Sequence, residues 1–462
     1  MSLTNDNEYV NDRQLCSVER SLELLNHYTG DSFGVVIVRI KAKEEQLHEE
    51  VLRQALDLVQ RRHPRLNSHI VGPLNKLRFE TERTQKIPLR VVNSPTQNQQ
   101  WHKIAIEELN SKIDISQNLM RAVLIYSTDE DKISYLITAI HHAIVDGLSA
   151  TRLQQDILTY CQKIIAGTQF TQLPRLPALP SIEELMPKSR KGINGMVKRI
   201  AFWGRLTIKA LLNRVETLGF EKIVTVDLRR CGMIHKELDT ELTQQFIKVC
   251  KRKQLSIQPV LCAAMLFTTA RKIIQNKNLF GKNAKICVNS NSAVDLRRKL
   301  NPVISKEHLG VFAGDMTSFH TLKANTSFWE LAQDVKQQLR YGTKKGDAFN
   351  TTFTNEKVFK SLLANPNDTS LTVMVTNIGK VNVPRIYGPF EIEAISMAVS
   401  VSILGGLFSA AVTIFADKMQ INFLFSEPAT SYETAELLAN NVISCITEIC
   451  QREDIYFLEP PE

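Results

Sequence analysis

Apolar and polar residues follow two rhythms along this chain, and the changes of rhythm mark its elements. FGVVIVRIK, residues 33–41, is β-branched and reads as a strand. Leu47, Val51, Ala55 and Leu58 then recur at helical spacing, and this helix ends at RRHPRL, where Pro64 stops it. Residues 119–126 and 132–140 read as a strand pair about the polar turn STDED. After Gly147 a helix runs to about Ile165 with Leu153, Ile157 and Tyr160 on its inner face. The second half opens near Ile223. Its pattern predicts helices over 240–252 and 259–272, a strand over 286–289 and a helix carrying Phe328, Leu331, Val335 and Leu339. A buried strand over 371–375 runs into TNIGKV, and a hairpin follows, 412–416 with 419–425, about Asp417-Lys418. The last helix carries Leu438, Val442, Cys445 and Ile449. Mixed helices and strands make this an α/β chain.

Two stretches break the pattern. Between about Gly167 and Phe220, Pro174, Pro177, Pro180 and Pro187 mark an extended connector. A segment with eight basic residues and no acid follows, from Lys188 to Arg214. Met196, Ile200, Trp203 and Leu211 form a helical stripe there. The segment reads first as a solvated linker helix that packs this stripe on the body. The alternative is a basic amphipathic surface for a membrane or lipid substrate. The second stretch, residues 395–416, carries no charge and is long enough for a membrane span. Its serines alternate with Val399, Val401 and Ile403, so two buried strands joined through Gly405-Gly406 fit better.

A length of 462 residues exceeds one ordinary core and predicts two domains. The boundaries expected are 1–175, a linker over 176–222, and 223–462. The net charge of +9 points to an anionic partner. Nucleic acid is not expected, because neither zinc-ligand spacing nor basic-aromatic interleaving is present. Eight cysteines without a CxxC pair, in apolar surroundings, predict buried thiols in a reducing cytosol, with peripheral membrane contact through 188–214 as the alternative placement. A monomer is expected.

The chemistry concentrates in TAIHHAIVDGLSA, residues 138–150. A strand that ends by presenting an imidazole, with a glycine turn into a helix, holds a general base at a fixed point. Such a base can take a proton from an alcohol or amine attacking a thioester. Asp146 need not touch His142; a buried carboxylate needs a paired charge and would hold the loop shape through an arginine. Gly147 permits the tight turn and leaves its N–H near the reaction centre. No histidine shows ligand spacing with a carboxylate or thiol, so no metal is expected.

HHAIVDG resembles the HHxxxDG signature of the CoA-dependent acyltransferase superfamily, which includes peptide-synthetase condensation domains and plant BAHD enzymes. The resemblance spans most of the chain. ALDLVQRRHPRL, LMRAVLIY, ISYLITAIHH, NSAVDLRRKL, LGVFAG and VTNIGKV all look like its landmarks. The last is similar to the serine-asparagine segment of alcohol O-acetyltransferases and phthiocerol dimycocerosyl transferases, with Thr376 where serine is usual. The plant DFGWG element is absent. The resemblance implies two chloramphenicol-acetyltransferase-like subdomains with mixed sheets, meeting at a central tunnel. It makes His142 the base and His141 its support. It pairs Asp146 with an arginine, Arg297 first and Arg298 second. It puts Gly147, Thr376 and Asn377 at the oxyanion or along the tunnel. The implied reaction moves an acyl group from a CoA or carrier-protein thioester to a hydroxylated small molecule or lipid, in lipid or polyketide metabolism, with no bound cofactor. A free-standing enzyme forming an amide, or a non-catalytic binding protein of the same fold, are the competing readings.

Overall fold

All nine side chains of the strand Ile133–His141 are buried, which requires a sheet covered on both faces. In the computed structural model, which describes residues 12–30, 33–43, 46–94, 97–127, 132–170, 174–278, 285–353 and 355–458, this strand lies inside a mixed sheet. It pairs antiparallel with Phe33–Ala42 on one side and Met120–Ser127 on the other. Leu89–Ser94 adds in parallel at one edge. Ile386–Tyr387 and Phe390–Val399 complete the other. The turn between Met120–Ser127 and Ile133–His141 lies outside the described residues.

Helices Glu49–Arg62 and Gly147–Ile165 pack on one another. The first buries Leu52, Ala55, Leu56 and Val59, a face one residue out of phase with the stripe read from Leu47, Val51 and Leu58. The helix begins after His48, so Leu47 is buried ahead of it, and Val51 and Leu58 are left on the flank. The helix Ser17–Thr29 has no counterpart in the sequence reading, because its buried side carries Glu19, Ser21, Glu23 and Asn26 among its apolar residues.

A second mixed sheet runs in the order Ala313–Lys323, Lys285–Asp295, Val373–Lys380, Phe408–Phe415, Lys418–Glu427, Arg230–Leu238. Val373–Lys380 is parallel to both its neighbours, and the other pairs are antiparallel. Helix Ile257–Asn276 is long and apolar enough to cross a membrane, yet it is a mostly buried core helix. It packs against helices Phe328–Lys345 and Tyr432–Gln451. The uncharged stretch 395–416 forms no helix; it holds the end of one strand, a turn, and the strand Phe408–Phe415. The following hairpin turns at Ala416 and Asp417, both with positive φ, one residue earlier than the sequence placed it. TNIGK continues its strand instead of ending it. Ala313–Lys323 escaped the pattern reading because its inward residues include Ser318 and His320. All eight cysteines are free thiols, and six are buried.

The packing divides the chain into two units. The first takes residues up to Met186, with Arg297–Phe312 and Val383–Glu393; the second takes Pro187–Leu296, Ala313–Asn382 and Ala394–Glu462. Residues 187–222, read as linker, therefore belong to the second unit. The proline-marked connector is instead fastened to the first: Leu176 N–H donates to the Arg62 carbonyl and Asn301 N–H to that of Leu185. The units are not contiguous along the chain, because buried partners such as Arg297 return to the first.

Candidate active site

The sheet ends at His141, where a short 3₁₀ turn, His142–Ile144, reverses the chain before helix Gly147–Ile165. His141 is completely buried. Its Nδ1 accepts from the Ala143 N–H at 3.1 Å, which leaves the proton on Nε2, 2.9 Å from the Glu23 carboxylate. Asn26 Nδ2 donates to the same carboxylate at 2.9 Å. His141 is thus held from both ring edges, with no lone pair free to accept a substrate proton.

His142 is set differently. Its Nδ1 lies 2.7 Å from the Val145 carbonyl oxygen, an acceptor only, so Nδ1 carries the proton and Nε2 keeps its lone pair. Burial lowers the pKa of His142 below its ordinary value; the Val145 carbonyl and Asp146 pull the other way without reversing this. The shift favours the neutral imidazole, the state that a proton acceptor needs.

Asp146 caps the helix. Its Oδ1 accepts from the Ser149 N–H and Ser149 Oγ, each at 3.0 Å. Arg297 grips both oxygens, Nη2 to Oδ1 at 2.9 Å and Nη1 to Oδ2 at 2.7 Å. The Phe312 N–H donates to Oδ2 at 3.0 Å. Burial alone would raise this carboxyl, but the Arg297 charge and these donors outweigh it and hold it below the ordinary range. Both partners are nearly inaccessible, and the Arg297 guanidinium lies over the Phe312 ring, 4.9 Å from its centre. Of the two arginines considered in VDLRR, Arg297 is the one that reaches Asp146. Gly147 stands at the first helical position, where N–H groups have no partner in the helix. Ala143 and Phe312 line a small cavity with His63, Arg65 and His308.

Thr376 and Asn377 lie in the second unit, half-buried on the strand Val373–Lys380, where Asn377 Oδ1 accepts the Gly379 N–H at 2.8 Å. Glu23, Val145 and Phe312 went unnoticed in sequence. Two of the three act through backbone atoms, and Glu23 sits in a helix whose polar residues point inward.

The Condensation domain family model matches residues 35–281, more than half of the chain. The chain belongs to the condensation-domain family. A second family, the phthiocerol/phthiodiolone dimycocerosyl transferase C-terminus, matches residues 227–425 of this condensation-family chain. No curated protein sequence matches it. Among solved structures, polyketide synthase associated protein 5 from Mycobacterium tuberculosis is similar at 17% identity and TM-score 0.69, covering 95% of this chain and 98% of the other. A trichothecene 15-O-acetyltransferase from Fusarium sporotrichioides is similar at 11% identity and TM-score 0.73, covering 94% and 95%. The first condensation domain of the CDA synthetase is similar at 13% identity and TM-score 0.68, covering 97% and 99%. These likenesses establish the fold. Within the CoA-dependent acyltransferase superfamily, the chain is a transferase of the condensation and acyltransferase type, with two chloramphenicol-acetyltransferase-like α/β halves.

Proposed function

We propose that this condensation-family protein transfers an acyl group from a CoA or carrier-protein thioester to a hydroxyl acceptor, with His142 as general base. The observation that carries this reading is the Nδ1 contact of His142 to the Val145 carbonyl, which leaves Nε2 free and uncharged. Nε2 takes the hydroxyl proton while the oxygen attacks the thioester carbon. The tetrahedral oxyanion is stabilised by a preorganised donor, for which the Gly147 N–H at the helix N-terminus is suited. The C–S bond then breaks, and the imidazolium returns its proton to the departing thiolate. His141, Asp146 and Arg297 position this loop without touching the reacting atoms. The match to a dimycocerosyl transferase family favours an ester product over an amide.

The test follows thiol release from a series of acyl-CoAs and acyl-carrier thioesters, offered with alcohols or with amines. Release with alcohols is expected. His142→Ala should lower turnover by about two to four orders of magnitude, the usual contribution of a general base, with an unchanged melting temperature. Near-normal release by His142→Ala would overturn the assignment of the base. Transfer to amines alone would overturn the ester reading.

A further inference from the structure

The helix Gly192–Asn213 seats itself the wrong way round for a soluble protein. Only Gly195 and Phe202 are buried. Ile193, Val197, Ile200, Ile208, Leu211 and Leu212 are each more than half exposed. At about 100° per residue these fall on one side of the helix, opposite Phe202. The stripe read from Met196, Ile200 and Leu211 therefore faces solvent, and only Trp203 on its flank is half-buried. Arginines line the packed side instead. Arg199 lies over the Phe353 ring at 4.4 Å, Arg205 binds Asp347 at 2.6 Å, and Arg190 reaches the Phe349 ring at 5.6 Å. Lys188 and Lys191 stand exposed just ahead of the helix, and Lys198 and Lys209 stand exposed on its flank nearer Phe202, Lys198 donating to the Ser189 carbonyl at 2.9 Å. The result is an uncharged strip from Ile193 to Leu212, about 29 Å long at 1.5 Å per residue, on a segment whose charges are all positive. Folded monomers rarely leave so continuous an apolar patch uncovered.

We propose that this face docks the protein peripherally on an anionic lipid bilayer, with the helix lying in the interfacial plane. Apolar side chains enter the acyl boundary, and the lysines meet the headgroup phosphates. Charge selects this occupant. The segment Lys188–Arg214 holds eight bases and no acid, so pairing with a second copy would bring like charge against like. A negatively charged bilayer satisfies both the apolar strip and the segment's positive charge. The inference is independent of the reaction proposed above.

Flotation of the full chain with vesicles tests it. The protein should float with phosphatidylcholine–phosphatidylglycerol vesicles and much less with phosphatidylcholine alone. Raising salt from about 0.1 M to about 1 M, which shortens the screening length from about 10 to about 3 Å, should weaken this binding. The double variant Ile200→Asp, Leu211→Asp should lose about a hundredfold in vesicle affinity, with parental circular dichroism and melting temperature. Replacing Lys188, Lys191, Lys198 and Lys209 by Gln should cost about fivefold per lysine on anionic vesicles and leave thiol release with a soluble alcohol unchanged. Three results would overturn the proposal: no flotation of the parent with anionic vesicles, parental flotation of the double variant, or an apolar face that instead holds a dimer or an acidic carrier protein.

Discussion

The loop from His141 to Ser149 and the helix Gly192–Asn213 present opposite solutions to mixing polar and apolar residues. In the loop, polar groups are buried or, at His142, half-buried, and each has a named partner: His141 has Glu23, His142 has Val145, and Asp146 has Arg297, Ser149 and Phe312. In the helix, apolar groups are exposed and the arginines are tucked beneath. Buried polarity makes the loop rigid and intolerant of change, because removing one partner strands another. Exposed apolarity leaves the helix free of such penalties, so its residues answer to something other than folding.

The comparison breaks most readily at Asp146. Asp146→Asn should cost about 3–5 kcal/mol, since it leaves the Arg297 guanidinium buried without its countercharge. Urea unfolding of the purified variant checks this, and a loss under about 1 kcal/mol would mean that the pair is solvated. Phe202→Ala, which removes the large buried apolar side chain of the helix, should cost a smaller but measurable amount, about 2–3 kcal/mol. Ile200→Ser on the outward face should change stability by less than about 0.5 kcal/mol. If Ile200→Ser costs as much as Phe202→Ala, the helix packs by the other face.

Acid sharpens the same contrast. His142 has a lowered pKa in the folded protein, so the unfolded chain binds its proton first as pH falls below the ordinary value of 6.5. Stability then decreases with falling pH from there down to the folded value. Asp146 contributes above the ordinary carboxylate range, and its contribution is lost only as pH drops through its own lowered value. The acid limb of turnover should accordingly lie below 6.5, measured as thiol release against pH, and a limb above that value would contradict the burial of His142.

Much of the candidate site's geometry was legible because the motif sets rare residue types at fixed spacing. HHAIVDG named His142, Asp146 and Gly147, and VDLRR narrowed the countercharge to two arginines. Only geometry separated Arg297 from Arg298. Backbone partners such as the Val145 carbonyl and the Phe312 N–H carry no side-chain signature, so no pattern could reveal them. The α/β class and most elements followed from periodicity. What periodicity failed to give was orientation: a stripe such as Met196, Ile200 and Leu211 says that a helix has two sides and not which one faces the core.

Asp146 and Arg297 are 151 residues apart, and that separation sets a clock on synthesis. At about 5–20 residues per second, a ribosome that has made the HHAIVDG loop needs about 8 to 30 s more to deliver the arginine that neutralises it. During that interval the first unit has its central strands but not its countercharge, and a carboxylate without one is costly to bury. A nascent chain arrested before residue 297 would therefore carry the whole motif with its Glu23 and Ser149 partners, but neither the guanidinium nor the Phe312 N–H that holds the second oxygen of Asp146.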